Sequence, residues 1–128
     1  MSISLTKGGN VSLSKEELGL SKILIGLGWD ERATDGTEFD LDASAFMLAS
    51  SGKVRDDSGY IYYNNLVSSD DSIEHTGDNL TGEGDGDDEE IKVHLDAVPA
   101  DVQKIAVAVS IHEYDKRNQN FGMMSNAY

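Results

Sequence analysis

A chain of 128 residues suffices for one domain that buries roughly two-thirds of its unfolded surface. It carries 10 basic against 24 acidic residues, a net charge of −14, which repels nucleic acid and anionic membrane surfaces and favours cations or basic partners. Zero cysteines exclude disulfides, zinc ribbons and thiol nucleophiles.

The opening MSISLTKGGN lacks the apolar core of a secretory signal, and no stretch approaches the ~20 apolar residues of a membrane span. A soluble, intracellular chain without membrane insertion is expected. In chain order, Ile3 and Leu5 alternate with polar residues. Residues 22–29 then read as a buried, β-branched strand ending in glycine and Trp29. Residues 39–48 alternate at first and turn apolar on both faces. Ser50-Ser51-Gly52 marks a turn, residues 60–63 a further strand, and Asn64-Asn65 another turn. Residues 91–95 alternate with period two. Pro99 breaks the chain before a brief turn, and residues 104–112 carry the strongest strand pattern. A strand starting in residues 121–128 would have its neighbours beyond the chain. Short strands joined by Gly, Asp and Asn predict a mainly β fold, an antiparallel β-sandwich.

Residues 78–90 read DNLTGEGDGDDEE, seven carboxylates and one carboxamide punctuated by glycine, and no Lys or Arg occurs from Asp56 to Ile91. Like charges so spaced form either a solvated charge run or an oxygen cage for a hard cation. Calcium takes six to eight oxygen ligands, which Asp78, Asn79, Glu83, Asp85, Asp87 and Glu89 would supply, while the glycines permit the backbone to turn around an ion. Asp40 and Asp42 share one strand face opposite Phe39 and Leu41. Asp30 closes the preceding strand, with Asp35 and Glu38 in the following loop. Acids at two strand ends facing the acidic loop would place ions at one end of a sandwich.

The spacing is neither an EF-hand nor a phosphate-binding loop. Magnesium prefers to keep several waters, and zinc lacks paired histidines or cysteines. His75, His94 and His112 are scattered, and the last two fall in strand patterns. Trp29 reads as a core or site-edge aromatic and Met123-Met124 as packing. No G-x-S-x-G elbow occurs. A two-metal phosphoester hydrolase and a metal-free acidic surface for basic partners remain the alternatives to a cation-binding module.

Ser4 to Leu13, Gly26-Leu27-Gly28-Trp29-Asp30, Phe39-Asp40-Leu41-Asp42-Ala43, Tyr63-Asn64-Asn65 and above all His75 to Glu89 resemble the TerD family of tellurite-resistance and stress-response proteins, in order along the whole chain. The resemblance implies one TerD-like domain over residues 1–128, a bacterial cytoplasmic β-sandwich that is not an enzyme and binds two calcium ions at one end. It implies partnership with other Ter proteins, one of them membrane-embedded. It maps the acidic motif onto Asp78, Asn79, Glu83, Asp85, Asp87 and Glu89, with Asp30, Asp40 and Asp42 opposite and backbone carbonyls near Trp29 and in Leu80-Thr81 completing the shells. Family domains continue past the position of Tyr128, so a shortened domain with an exposed sheet edge is expected.

Overall fold

The computed structural model describes residues 4, 6, 8–12, 15, 19–33, 35–84, 86–124 and 126–128. Two antiparallel three-stranded sheets carry the fold. One has the order β1-β5-β4, from Lys22–Leu27, Glu89–His94 and Ile73–His75. The other has the order β3-β2-β6, from Tyr60–Ile61, Leu41–Leu48 and Lys104–Ile111. The expected mainly β, antiparallel architecture is what forms. A four-residue helix, α1 (Tyr114–Arg117), follows β6.

Alternation sets the core. Leu41, Ala43, Ala45 and Met47 of β2 face Ile73, Ile91 and Val93 of the other sheet, and all seven are 3% exposed or less. Apolar area removed from water at about 25 cal/mol per Å² is what holds the layers together. The outer face of β2 is also covered, because Phe46 stacks on Tyr60 at 4.6 Å and Tyr60 on Tyr62 at 4.2 Å. That ladder explains why residues 39–48 read as apolar on both faces.

Two expectations need correction. The strand over 22–29 is not buried throughout: β1 is an edge strand, Leu24 is 55% exposed, and only Leu27 within it belongs to the core. The brief turn expected after Pro99 forms, closed by the Val102 N–H donating to the Pro99 carbonyl at 3.0 Å, and a separate helical turn at Leu95–Ala97 precedes it. Residues 126–128 find a partner within the chain: Gly28 and Tyr128 exchange backbone hydrogen bonds at 2.8 and 2.9 Å. Ile3 and Leu5 lie outside the described residues.

The sheets diverge along β1 and β6, leaving an apolar cleft of about 610 Å3 lined by Ile23, Ile25, Val93, Leu95, Ile105 and Val107 among others. β6 is an edge strand, and Val107 and Val109 are 42% and 39% exposed.

Candidate metal centre

The start of β2 and the connection from β4 to β5 meet at one end of the sandwich. Asp40 and Asp42 lie on the same strand face, with Phe39 and Leu41 turned the other way into the core. The backbone carbonyl of Asp40 accepts from the His112 N–H at 2.8 Å, tying this strand end to the end of β6. Buried Gln119 donates from Nε2 to the carbonyls of Thr37 and Glu38 at 2.8 and 3.2 Å, fixing the approach to Asp40.

Asp78 comes from the acidic loop. One carboxylate oxygen from each of Asp40, Asp42 and Asp78 lies within 4.8 Å of the others. Asp40 is 4% and Asp42 8% exposed. Oδ1 of Asp40 is buried with no hydrogen-bond partner among the described residues, an arrangement that ordinarily costs about 1–3 kcal/mol or more. Burial, then the neighbouring Asp40, Glu89 and Asp78 charges, push the Asp42 carboxyl up to about 6, although His112 Nδ1 sits 3.7 Å from its Oδ2. Burial and the Asp78 charge likewise raise Asp40, against the opposing pull of His112 and Arg117. Asp78 is raised by burial first and then by a carboxyl–carboxylate hydrogen bond with Glu89. Negative charge at this end exceeds what its own basic neighbours compensate.

The loop is built by its own hydrogen bonds. Asn79 Oδ1 accepts from the N–H groups of Thr81 and Gly82 at 3.1 and 2.9 Å, an Asx-type turn. Its Nδ2 donates to Asp88 Oδ1 at 3.1 Å, while Asp88 Oδ2 accepts from Trp29 N at 2.8 Å. Buried Trp29 gives its ring N–H to the carbonyl of Phe39 at 3.0 Å, so one aromatic links β1, β2 and the loop. Gly82 is required here: its φ is +77°, and a Cβ would stand 2.5 Å from the Trp29 ring nitrogen and 2.8 Å from its carbonyl oxygen.

Of the residues read from sequence, Asp40, Asp42 and Asp78 converge. Glu89 adjoins them as a buried carboxylate. Its Oε2 accepts from Ala43 N at 2.8 Å and its Oε1 from Asn79 N at 3.3 Å. Asn79 spends its side-chain oxygen on the turn. Asp30 and Glu83 fall elsewhere, rimming with Glu31 a shallow hollow of about 420 Å3. Asp87 folds its carboxylate over Gly26 of β1. Leu80 is 58% exposed on the loop, and Asp85 lies outside the described residues.

A TerD domain model matches residues 1–128. The chain belongs to the TerD family. It is 63% identical over 128 residues to the tellurium resistance protein TerD of Serratia marcescens, covering all of this chain and 67% of that protein. It is 50% identical over 129 residues to general stress protein 16U of Bacillus subtilis (strain 168), again covering all of this chain and 67% of that protein. The crystal structure of a homologue of telluride resistance protein (TerD) from Streptomyces coelicolor A3(2) superposes with a TM-score of 0.72 at 27% identity, over 85% of this chain and 63% of that one. This chain thus spans about two-thirds of these relatives' length. Among the described residues of this TerD domain, no helix is long and apolar enough to cross a membrane.

Residues that pattern reading missed in this TerD domain are Asp88, whose bond to Trp29 spans 59 positions, and His75, whose ring contacts Glu89. His75 stands two residues after buried Ile73 on β4, hence on the core face, a placement that follows only once β4 is paired with β5.

Proposed function

We propose that this TerD domain is a non-enzymatic calcium-binding module of a bacterial cytoplasmic stress-response system that includes tellurite resistance. The observation that carries the reading is the convergence of Asp40, Asp42 and Asp78 within 4.8 Å around a buried Asp40 oxygen that has no partner among the described residues. Oxygens that share one calcium at roughly 2.3–2.6 Å lie no farther apart than about 5 Å, and an all-carboxylate donor set suits a hard cation. Asp40, Asp42 and Asp78 would hold the ion, with Glu89 behind them. A bound calcium would supply positive charge that offsets the repulsion among these acids. A second ion, expected from the family resemblance, would take the hollow rimmed by Asp30, Glu31 and Glu83.

In this reading the domain reports on calcium through the order of its acidic loop and displays that change to other Ter proteins. A net charge of −14 disfavours direct capture of tellurite.

Titration calorimetry with calcium and with magnesium tests this. The chain should release or absorb heat with calcium at stoichiometry one or two and respond more weakly to magnesium, and Asp40→Asn should weaken the tighter event at least tenfold, about 1.4 kcal/mol. Equal heats for the parent and Asp40→Asn would remove the cluster from the reading. Turnover of phosphoesters by the calcium-loaded chain would contradict its non-enzymatic part.

A further inference from the structure

We propose that His75 is a positioning residue of the cation site, acting through Glu89; this rests on the calcium reading above. His75 and Glu89 are 2% and 1% exposed, and they sit at the two ends of the acidic loop, one closing β4 and the other opening β5. The Gly77 N–H donates to His75 Nδ1 at 3.1 Å. A backbone amide can only donate, so Nδ1 carries no proton, and the ring proton lies on Nε2, facing Glu89 Oε2 at 3.2 Å. Neither ring nitrogen keeps a free lone pair, so His75 is not itself a ligand.

What the pair does follows from where its bonds go. Glu89 accepts from the N–H of Ala43, the residue after Asp42, and from that of Asn79, the residue after Asp78. His75 holds that carboxylate at one end and Gly77, the residue before Asp78, at the other. One imidazole and one carboxylate therefore set the spacing between the strand acids and the loop acid. β3 pairs only with Ala45 and Phe46 of β2, so the Ala43 amide lies beyond its reach and is left for Glu89. Outer groups that orient ligands in this way carry affinity that is lost when they are removed.

The test separates the two hydrogen bonds. His75→Gln places an amide N–H where Nε2 stood and keeps the bond to Glu89. His75→Asn places an oxygen where Nδ1 stood, keeps the bond from Gly77 and loses Glu89. With calcium chloride in the calorimeter, His75→Gln should bind within about threefold of the parent, whereas His75→Asn and His75→Leu should bind about 10–100-fold more weakly. Melting in chelator should be similar for the Gln and Asn variants, since each has lost one bond, so a purely structural role would not split their affinities. If His75→Leu does not fold, the Gln and Asn pair decides alone. Equal affinity for Gln and Asn, with binding still abolished by Asp42→Asn, overturns the role of His75 and leaves the calcium site standing. Absence of calcium binding by the parent chain overturns both.

Discussion

Glu89→Ala should cost about 3 kcal/mol of unfolding free energy when measured by urea at pH 5 in chelator. The substitution leaves three donors, Ala43 N, Asn79 N and His75 Nε2, without their acceptor. Each buried orphan donor costs roughly 1–3 kcal/mol. An opposing effect has to be kept small, because removing Glu89 also relieves repulsion with Asp40, Asp42 and Asp78. pH 5 lies below the raised Asp42 value of about 6, so repulsion there is near its minimum and the lost hydrogen bonds decide the sign. A change under about 1 kcal/mol, the net worth of a single ordinary hydrogen bond, would mean that Glu89 does not staple the two sheets.

Calcium at one hundred times its dissociation constant should stabilise the domain by about 2.7 kcal/mol at pH 7, or about 10 °C in Tm, and this gain should shrink as the pH falls. The sign follows from Asp42. Its folded pKa of about 6 exceeds its ordinary 3.8, so between these values the folded state holds a proton that the unfolded chain has released. In chelator, stability therefore falls as pH rises from about 4 to about 6 and stays lower above, by about 3 kcal/mol for this carboxyl. A cation that replaces the proton reverses the trend at neutral pH and has little to bind at pH 4.5. Thermal melts in calcium and in chelator from pH 4.5 to 7.5 check it. A calcium gain independent of pH would show that the raised carboxyls are not the ligands.

Much of the fold was legible because its strands carry their signal locally. β2 and β6 are eight-residue apolar or alternating runs, long enough for the period to declare itself. β4 has only three residues, Ile-Glu-His; its strand character comes from pairing with β5, which no local window contains. The exposure of β1 was equally hidden, since an edge strand and a central one share β-branched composition and differ only in what lies beside them.

The site divides along the same line. Asp40 and Asp42 could be placed together because a strand's two-residue period is a rigid rule, and Asp78 because it stands at the head of the acidic run. The roles within the loop were not legible. Asn79 looks like a ligand by composition, yet its side-chain oxygen closes a turn onto Gly82, and Asp88, outside the expected ligand set, holds Trp29. The N-x-x-G spacing from Asn79 to Gly82 carried a turn signal that the density of acids obscured. Glu89 shares the inward face of Ile91 and Val93, so extending that alternation two residues back would have turned it towards the core.

Anomalous scattering from crystals of the 128-residue chain grown in calcium tests the central claim most directly. A peak is predicted within roughly 2.3–2.6 Å of carboxylate oxygens from Asp40, Asp42 and Asp78. Calcium peaks confined to the hollow between Asp30 and Glu83, or none at all in calcium-saturated crystals, would contradict it.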